Sequence, residues 1–132
     1  MANEINMQAV LSVTRTGLCL QGSANKDVDQ AAGSNCASNV QSFSASATTG
    51  TAITMGGISF PNSRGFLFVK NTDATNYVEL SVVNTNQTDF ETSVFSKLMP
   101  GEFCLVPLKT SKTYYARANT AAVVLQVAVA AT

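Results

Sequence analysis

The C-terminal half of the chain, from Gly65 to Val129, is a series of short apolar segments separated by residues that favour tight turns. Its clearest segment, residues 77–82, places Val78, Leu80 and Val82 on one face of an extended strand and its other three side chains on the opposite, outward face. A period of two residues indicates a half-buried β-strand, and no stretch has the spacing of an amphipathic helix. A succession of strands is therefore the strongest constraint on the fold.

Two turn motifs indicate where the strands reverse direction. Within residues 98–102, Pro100 fixes the φ angle at the second position of a turn, and Gly101 accepts a positive φ at the third. Gly56-Gly57 likewise predicts a hairpin turn within residues 51–60, because paired glycines supply the positive φ angles that hairpin turns need.

Six strands are predicted in the C-terminal half, at residues 65–70, 77–82, 94–98, 102–106, 113–118 and 123–129. With the weaker N-terminal segments, eight or more short strands predict an all-β fold, an antiparallel β-sandwich or jelly roll. A chain of 132 residues and 13.8 kDa fits one such domain, spanning residues 1–132. We expect seven apolar side chains in its core: Val78, Leu80, Val82, Phe103, Leu105, Leu125 and Val127.

The N-terminal half has a less regular pattern. Residues 7–13 alternate between apolar and polar, and residues 18–20 resume the apolar character, so two strands or one strand with a bulge at Gly17 would fit. Residues 22–38 are small and polar, which predicts that they form the longest loop. We expect this loop and residues 84–93 to make contacts between subunits.

The low charge of the chain bears on its partners. Eight basic and eight acidic residues cancel, and charged residues make up 12% of the chain, about half the usual ~25%. A neutral chain has no long-range field that attracts nucleic acid or an anionic membrane, and it lacks the repulsion that keeps molecules apart. These properties predict a homo-oligomer that binds neither nucleic acid nor membrane. The first six residues lack the basic and apolar segments of a secretory signal, so we expect synthesis in a cytoplasm.

The sequence contains no histidine, which excludes Ser-His and Cys-His catalytic pairs and histidine-containing metal sites. The three cysteines, Cys19, Cys36 and Cys104, are too far apart to form a metal-binding Cys-x-x-Cys motif. Cys19 and Cys104 lie in apolar segments, so we expect them to be buried free thiols.

Two carboxylate pairs are the remaining candidates for chemistry. Asp27 and Asp29, and Asp89 and Glu91, could each offer oxygen ligands to calcium, but neither pair has the ligand spacing of an EF-hand loop. We therefore expect solvated charges, with no catalytic, cofactor-binding or metal-binding residue, no cofactor and no small-molecule substrate.

The closest approach to a nucleic-acid-binding patch is a basic and aromatic stretch around Tyr114 and Tyr115, with Lys109, Lys112 and Arg117 nearby. Adjacent residues of a strand point to opposite faces, so we expect one tyrosine in the core and the other at the surface. Three cations in a neutral chain do not indicate nucleic-acid binding.

The strand pattern of the C-terminal half resembles that of the small β-rich virion proteins of tailed bacteriophages. The shared features are a strand that ends in an asparagine turn, a Leu-x-Pro-Gly-Glu turn, a Tyr-x-Ala strand and a closing valine-rich strand. In this chain they are Gly65–Asn71, Leu98–Glu102, Tyr115–Ala118 and residues 123–129. The resemblance implies a non-enzymatic structural subunit of a head, neck, tail or fibre. It also implies a virion location, with copies of the chain and other virion proteins as partners.

Two other functions remain open at this stage. A carbohydrate- or receptor-binding module of the same fold could use exposed tyrosine and asparagine side chains to stack on a ligand. A hydrolase would need two carboxylates that converge in one cleft.

Overall fold

The structure, a computed structural model, describes residues 4–15, 18–29, 36–46, 48–58, 64–83, 90–109 and 112–132. Within these ranges the chain forms ten β-strands, one 3₁₀ helix at Glu91–Ser93, and no α-helix. The strands are β1 (Glu4–Arg15), β2 (Leu18–Asp29), β3 (Cys36–Phe43), β4 (Thr51–Ala52), β5 (Arg64–Asn71), β6 (Val78–Val83), β7 (Val94–Leu98), β8 (Phe103–Lys109), β9 (Thr113–Ala118) and β10 (Val123–Ala131). The prediction of an all-β fold is confirmed.

Strands β3 to β10 form two antiparallel four-stranded sheets that pack as a sandwich. The first sheet has the order β3-β10-β5-β8 and the second β4-β9-β6-β7. The eight strands thus pair in a nested order: β3 with β10, β4 with β9, β5 with β8, and β6 with β7. Every connection except that from β6 to β7 passes from one sheet to the other. This nested order is that of a jelly roll.

The hydrophobic core lies between the two sheets and is built from alternate residues of their strands. In β10, burial alternates strictly along the first five residues, with Val123, Leu125 and Val127 buried between exposed neighbours. Phe43 of β3 and Leu80 of β6 are also fully buried in this core. A period-two sequence such as that of β10 therefore places one face of its strand inside, as a half-buried sheet requires.

Five of the seven predicted core residues pack in this core. Val78, Leu80, Leu125 and Val127 are buried, and Val82 is half-buried against the same cluster. The prediction is wrong for Phe103 and Leu105, which are 64% and 40% exposed. Strand β8 is apolar on both faces, so its sequence does not show which face is inside, and a shift of one residue exchanges the two sets.

The register of β8 against β5 decides which of its faces is inside. Cys104 lies opposite Val69 and Val106 lies opposite Leu67, two residues of β5 that are completely buried. Opposite residues of paired strands share a face of the sheet, so Cys104 and Val106 point into the sandwich. Phe103 and Leu105 consequently point away from it.

The predicted loop at residues 22–38 is also wrong over most of its length. Residues 22–29 belong to β2, which pairs with β1 along all twelve residues of each strand, and residues 36–38 begin β3. The pairing is made by backbone groups, which every residue here carries, so small polar residues can form a strand. Of the alternatives for the first segment, the two-strand arrangement is present, while Gly17 and residues 30–35 lie outside the described residues.

Both predicted turns are present. Gly101 has a φ of 80° and the Glu102 amide donates to the Met99 carbonyl at 3.0 Å. Gly56 and Gly57 have φ angles of 65° and 71°. The two strands predicted on either side of Gly56-Gly57 do not pair as a hairpin among the described residues, because β4 pairs with β9 instead.

The turn at Pro100-Gly101 is tied to the end of β5 by Asn71, whose side chain is fully buried. Its amide nitrogen donates to the carbonyls of Leu98, at 3.1 Å, and Asn76, at 2.8 Å. The oxygen of the same amide accepts from the Asp73 backbone at 3.0 Å. One side chain therefore joins two loops, and it explains the asparagine that ends β5.

Candidate interaction surface

The face of the first sheet that points away from the core is unusually apolar. We call it the outer face. Strands β5, β8 and β10 contribute seven apolar residues to it, three of them phenylalanines: Phe66, Phe68, Phe103, Leu105, Pro107, Ala128 and Ala130. A sheet with one solvated face normally has polar residues there, so this composition indicates a surface that something covers.

The strand register gathers these side chains into one continuous surface. Phe68 lies between Leu105 on β8 and Ala128 on β10, and Phe66 occupies the corresponding place one step along β5. The rings of Phe68 and Phe103 are in contact, with centroids 5.8 Å apart. The sequence feature that could have revealed this surface is the apolar character of β5 on both of its faces.

The β1–β2 hairpin, which we call the arm, covers part of the outer face. One side of its root is largely apolar: Ile5, Met7 and Val28 are half-buried there, and the exposed Lys26 lies opposite Met7. The opposite side is polar, and on it the side-chain amide of Asn6 donates to Asp27 and, at 3.2 Å, to Asn25. The root of the arm is thus amphipathic, with its apolar side against the sandwich.

Two grooves lie between the arm and the outer face and show the direction in which the arm runs. The larger, of about 470 Å³, is lined by residues 5–8 of the arm and by residues 36–38 of β3, and it reaches Leu105. The smaller, of about 250 Å³, is lined by residues 7–9 and by Pro107 of β8. The arm therefore crosses the sheet from its β3 edge to its β8 edge.

Beyond the β8 edge the arm is uncovered. Residues 9–12 and 22–25, which we call the distal arm, are exposed on both sides of the hairpin. Val10 and Leu11 are 72% and 61% exposed. On the sandwich, Phe103 and Leu105 remain exposed beside the half-buried Phe68, and we call these three residues the open patch.

Part of the outer face of the second sheet is instead covered by residues of its own chain. Phe90 is completely buried there, with its ring centroid 4.6 Å from the Arg117 guanidinium carbon. Its carbonyl accepts a hydrogen bond from the buried Ser81 hydroxyl at 3.3 Å. Ser81 does point away from the core, as predicted, but the segment that begins at Phe90 buries it. Phe90 is buried against its own chain, whereas the short helix has no buried residue. Residues 84–89 lie outside the described residues, and contact of residues 84–93 with other subunits stays a prediction.

Arg117 anchors this closure through two carboxylates. It donates to Glu79 at 2.9 and 2.7 Å and forms an ion pair with Glu91. Burial by itself lowers the pKa of Arg117, but the hydrogen bonds to Glu91 and Glu79 outweigh it and raise that pKa above its ordinary value. Glu91 is therefore used to hold its own segment in place.

The cysteine and aspartate candidates are dispersed over the structure. Cys104 is half-buried, and burial raises the pKa of its thiol to about 11, which keeps it neutral and unreactive at pH 7. Cys36 is exposed on β3. Asp27 is exposed on the arm, whereas the side chains of Cys19, Asp29 and Asp89 lie outside the described residues.

The tyrosines confirm the prediction that neighbours in β9 face opposite ways. Tyr114 is buried in the core, and Tyr115 is half-buried on the other face. The remaining tyrosine, Tyr77, has the ammonium group of Lys97 3.6 Å from its ring centroid, so one face of that ring is already covered. This arrangement does not favour stacking of a sugar on a tyrosine.

In the part of the chain that the structure describes, no group of three or more acidic, cysteine or histidine side chains is placed to hold a metal ion. Nor is any helix in the described ranges long and apolar enough to cross a membrane. Comparison with protein-family models, with curated proteins and with solved structures found no match for this chain.

Proposed function

We propose that the chain is a non-enzymatic structural subunit of a bacteriophage virion that works by associating with copies of itself and with other virion proteins. The observation that carries the proposal is the exposed apolar surface of the outer face and the distal arm. Phe103 and Leu105 are 64% and 40% exposed on the sheet, and Val10 and Leu11 are 72% and 61% exposed on the arm.

The chemistry of the open surface supports association. Exposed apolar area that is concentrated in one place marks an interaction site, whereas single exposed apolar residues are ordinary. Here the outer face and the distal arm together contribute Val10, Leu11, Phe103 and Leu105. The zero net charge of the chain adds no electrostatic repulsion between copies.

The assignment to a virion is supported by the fold and by the resemblance in the C-terminal half. Jelly rolls are the fold of many viral capsid proteins, although also of lectins. The Leu98–Glu102 turn, which is part of the resemblance, is a structural element fixed by the buried Asn71. A motif that fixes a loop is consistent with a structural role for the protein.

The non-enzymatic character is supported by what the ionisable groups contact. Arg117 pairs with both Glu79 and Glu91, and its guanidinium lies over the buried Phe90 ring. Asp73 accepts backbone hydrogen bonds from Thr75 and Asn76 in its own loop. These groups hold the chain in shape and do not converge on an open cleft.

Light scattering coupled to size exclusion tests the self-association. We expect a discrete oligomer whose mass is a small multiple of 13.8 kDa and whose population increases with protein concentration. A strictly monomeric protein up to millimolar concentration would contradict the proposal. Peptide mass spectrometry of purified phage particles tests the virion location, since a virion subunit co-purifies with particles in fixed ratio to their other proteins.

The alternative function is a carbohydrate- or receptor-binding module, which the jelly-roll fold also accommodates. A glycan array separates the two. Reproducible binding to one glycan class by a monomeric protein would favour the alternative, and an oligomer without glycan selectivity favours the structural subunit.

A further inference from the structure

We propose that the distal arm of one copy packs on the open patch of a second copy, so that subunits are joined by their projecting arms. The proposal deepens the function proposed above and rests on it, since it names the partner of the open surface. The partner is another copy of this chain, and the contact joins Leu11 of one copy to Phe103 and Leu105 of the next.

The length of the arm shows that its distal part cannot lie on its own sandwich. Twelve residues of extended strand span about 40 Å, whereas the axes of the edge strands in a four-stranded sheet are only about 14 Å apart. Residues 5–9 already cross that distance, since they reach from Cys36 on β3 to Pro107 on β8. The rest of β1, about 20 Å of strand, therefore extends beyond the β8 edge.

The face of the distal arm that carries Leu11 is continuous with the face that packs at the root. Residues 5, 7, 9 and 11 alternate along β1, so Leu11 points to the same side as Ile5 and Met7. At the root, this face packs over Phe66 and Leu105 of its own sheet. On the arm of a second copy, Leu11 lies on this same face, two residues beyond Ala9. Its apolar side chain is suited to cover the Phe103 end of the sheet in the same way.

Within one copy, the Phe103 end of the open patch is left uncovered, whereas Leu105 also lines the grooves under the arm. The arm crosses at the end of the sheet that holds Cys36, Ala130 and Pro107. Phe103 lies at the other end of β8, opposite Lys70. The distal arm leads away over the β8 edge, so it would have to reverse direction to reach its own Phe103, while a neighbour's arm meets no such restriction.

Charge is compatible with this contact. Residues 9–12 and 22–25 of the distal arm contain no charged side chain, and neither do the three residues of the open patch. Burying the two surfaces against each other therefore leaves no charge of the distal arm or the patch without solvent, which is the usual penalty at an interface. The charged neighbour on this face is Lys70, opposite Phe103, and its long side chain lets the ammonium group stay in water beside the contact. Apolar burial, which drives most protein association, is the term that remains.

The test uses disulfide formation between copies that each carry one cysteine. In a background with Cys19→Ser, Cys36→Ser and Cys104→Ala, one chain receives Leu11→Cys, and a second chain of distinguishable mass receives Phe103→Cys. The two are mixed and oxidised, and the hetero-dimer is quantified by non-reducing electrophoresis and mass spectrometry. A bond between the two chains reports a contact between copies, because neither chain can form it alone.

The matched control replaces Phe103→Cys by Val40→Cys. Val40 is 69% exposed on the same outer face, but it lies on the edge strand β3, at the opposite side of the sheet. We expect the Leu11→Cys chain to cross-link to the Phe103→Cys chain at least tenfold faster than to the Val40→Cys chain. Equal rates, or no cross-link in a sample that light scattering shows to be oligomeric, would overturn the arm contact and leave the proposed function standing. A sample that is monomeric throughout overturns both.

A second measurement does not require the cysteine-free background. Leu11→Ser and Phe103→Ser are made separately in the natural sequence, where both side chains are largely exposed within one copy. Each is expected to raise the dissociation constant of the oligomer about tenfold, the effect of removing one large apolar side chain from an interface. Val40→Ser is expected to leave it unchanged. If both variants associate as tightly as Val40→Ser, the proposed contact is wrong.

Discussion

The arm and the jelly roll use the same antiparallel pairing but differ in what covers their side chains. In β10 of the jelly roll, Val123, Leu125 and Val127 are excluded from water by a second sheet. In the arm, residues 9–12 and 22–25 are exposed on both sides, although twelve consecutive residue pairs join β1 to β2. Regular pairing of strands therefore does not by itself produce a core.

This difference has a thermodynamic consequence. An isolated two-stranded hairpin is at best marginally stable in water, because the entropy lost on ordering its backbone is not offset by burial of apolar surface. The jelly roll buries one face of most of its strands and should unfold cooperatively. The arm is attached to it through the half-buried side chains of Ile5, Met7 and Val28. We therefore expect that stability resides in the jelly roll, while the distal arm gains its order from association.

The largest effect is expected from truncating one leucine in each region. Leu125→Ala removes a fully buried side chain from between the sheets, so the free energy of unfolding should fall by about 2–5 kcal/mol. Leu11→Ala removes the same atoms from an exposed site, so the change in dilute, monomeric protein should be about 0.5 kcal/mol or less. Urea denaturation followed by circular dichroism measures both. Similar losses for the two variants would show that the arm is part of the cooperative core.

A smaller effect is expected from removing one asparagine amide in each region. Asn71→Ala leaves the carbonyls of Leu98 and Asn76 without their donor inside the structure, which should lower the free energy of unfolding by about 2–3 kcal/mol. Asn25→Ala removes an exposed amide that accepts one hydrogen bond on the arm, and the change should stay within about 0.5 kcal/mol. The same denaturation experiment tests the pair. Loss of less than 1 kcal/mol at Asn71 would mean that water replaces its hydrogen bonds.

Two glycines provide a comparison of available space. A Cβ atom added at Gly50 would overlap the Phe90 ring and lie 3.1 Å from the Tyr115 side chain, whereas one added at Gly22 of the arm meets nothing within 4 Å. Because the buried Phe90 must move, Gly50→Ala should destabilise the jelly roll by about 1–3 kcal/mol. Gly22→Ala should be neutral or stabilise by up to about 1 kcal/mol, since alanine restricts the unfolded chain. Equal effects would indicate that the Phe90 segment moves away at no cost.

The sequence predicts the jelly roll more completely than the arm, for physical reasons. Alternation along β6 and β10 and the backbone preferences of Pro100-Gly101 are local properties, and each is present as predicted. The inward face of β8 was predicted wrongly. Both faces of β8 carry apolar residues, so the sequence does not show whether Phe103 or Cys104 points inward, and only the pairing with β5 decides it.

The candidate surface was harder to predict than the fold. Residues 22–27 of β2 are small or polar and remain in water, because β2 pairs only with β1 and no second sheet covers these residues. The crossing of the arm over the outer face joins residues 5–9 to residues 105–107, a contact distant in sequence that no local pattern encodes. What the sequence does contain is the indirect sign that β5 is apolar on both faces, at Phe66 and Phe68 as well as at Leu67.

The smallest effect is expected from acid. Backbone hydrogen bonds from Asn76 and Thr75 hold the pKa of Asp73, in the loop after β5, below its ordinary value of 3.8. A carboxylate with a lowered pKa in the folded protein stabilises that state above the ordinary pKa, and this contribution is lost as the pH falls below 3.8 toward the lower folded value. Asp73→Asn keeps an oxygen acceptor but does not titrate, so the variant should lose less stability than the natural chain between pH 4 and pH 2.

Asp27→Asn makes the identical change of charge in the arm and is the matched control for this last comparison. Its carboxylate accepts from the Asn6 side chain at the exposed side of the hairpin, away from the cooperative jelly roll. We expect its pH dependence of unfolding to follow that of the natural chain, as measured by thermal melts at half-unit steps from pH 2 to pH 5. A flattened acid limb in Asp27→Asn, together with an unchanged one in Asp73→Asn, would place the acid-sensitive contact in the arm. Such a result would mean that the hairpin unfolds together with the sandwich, against the division of stability argued from burial.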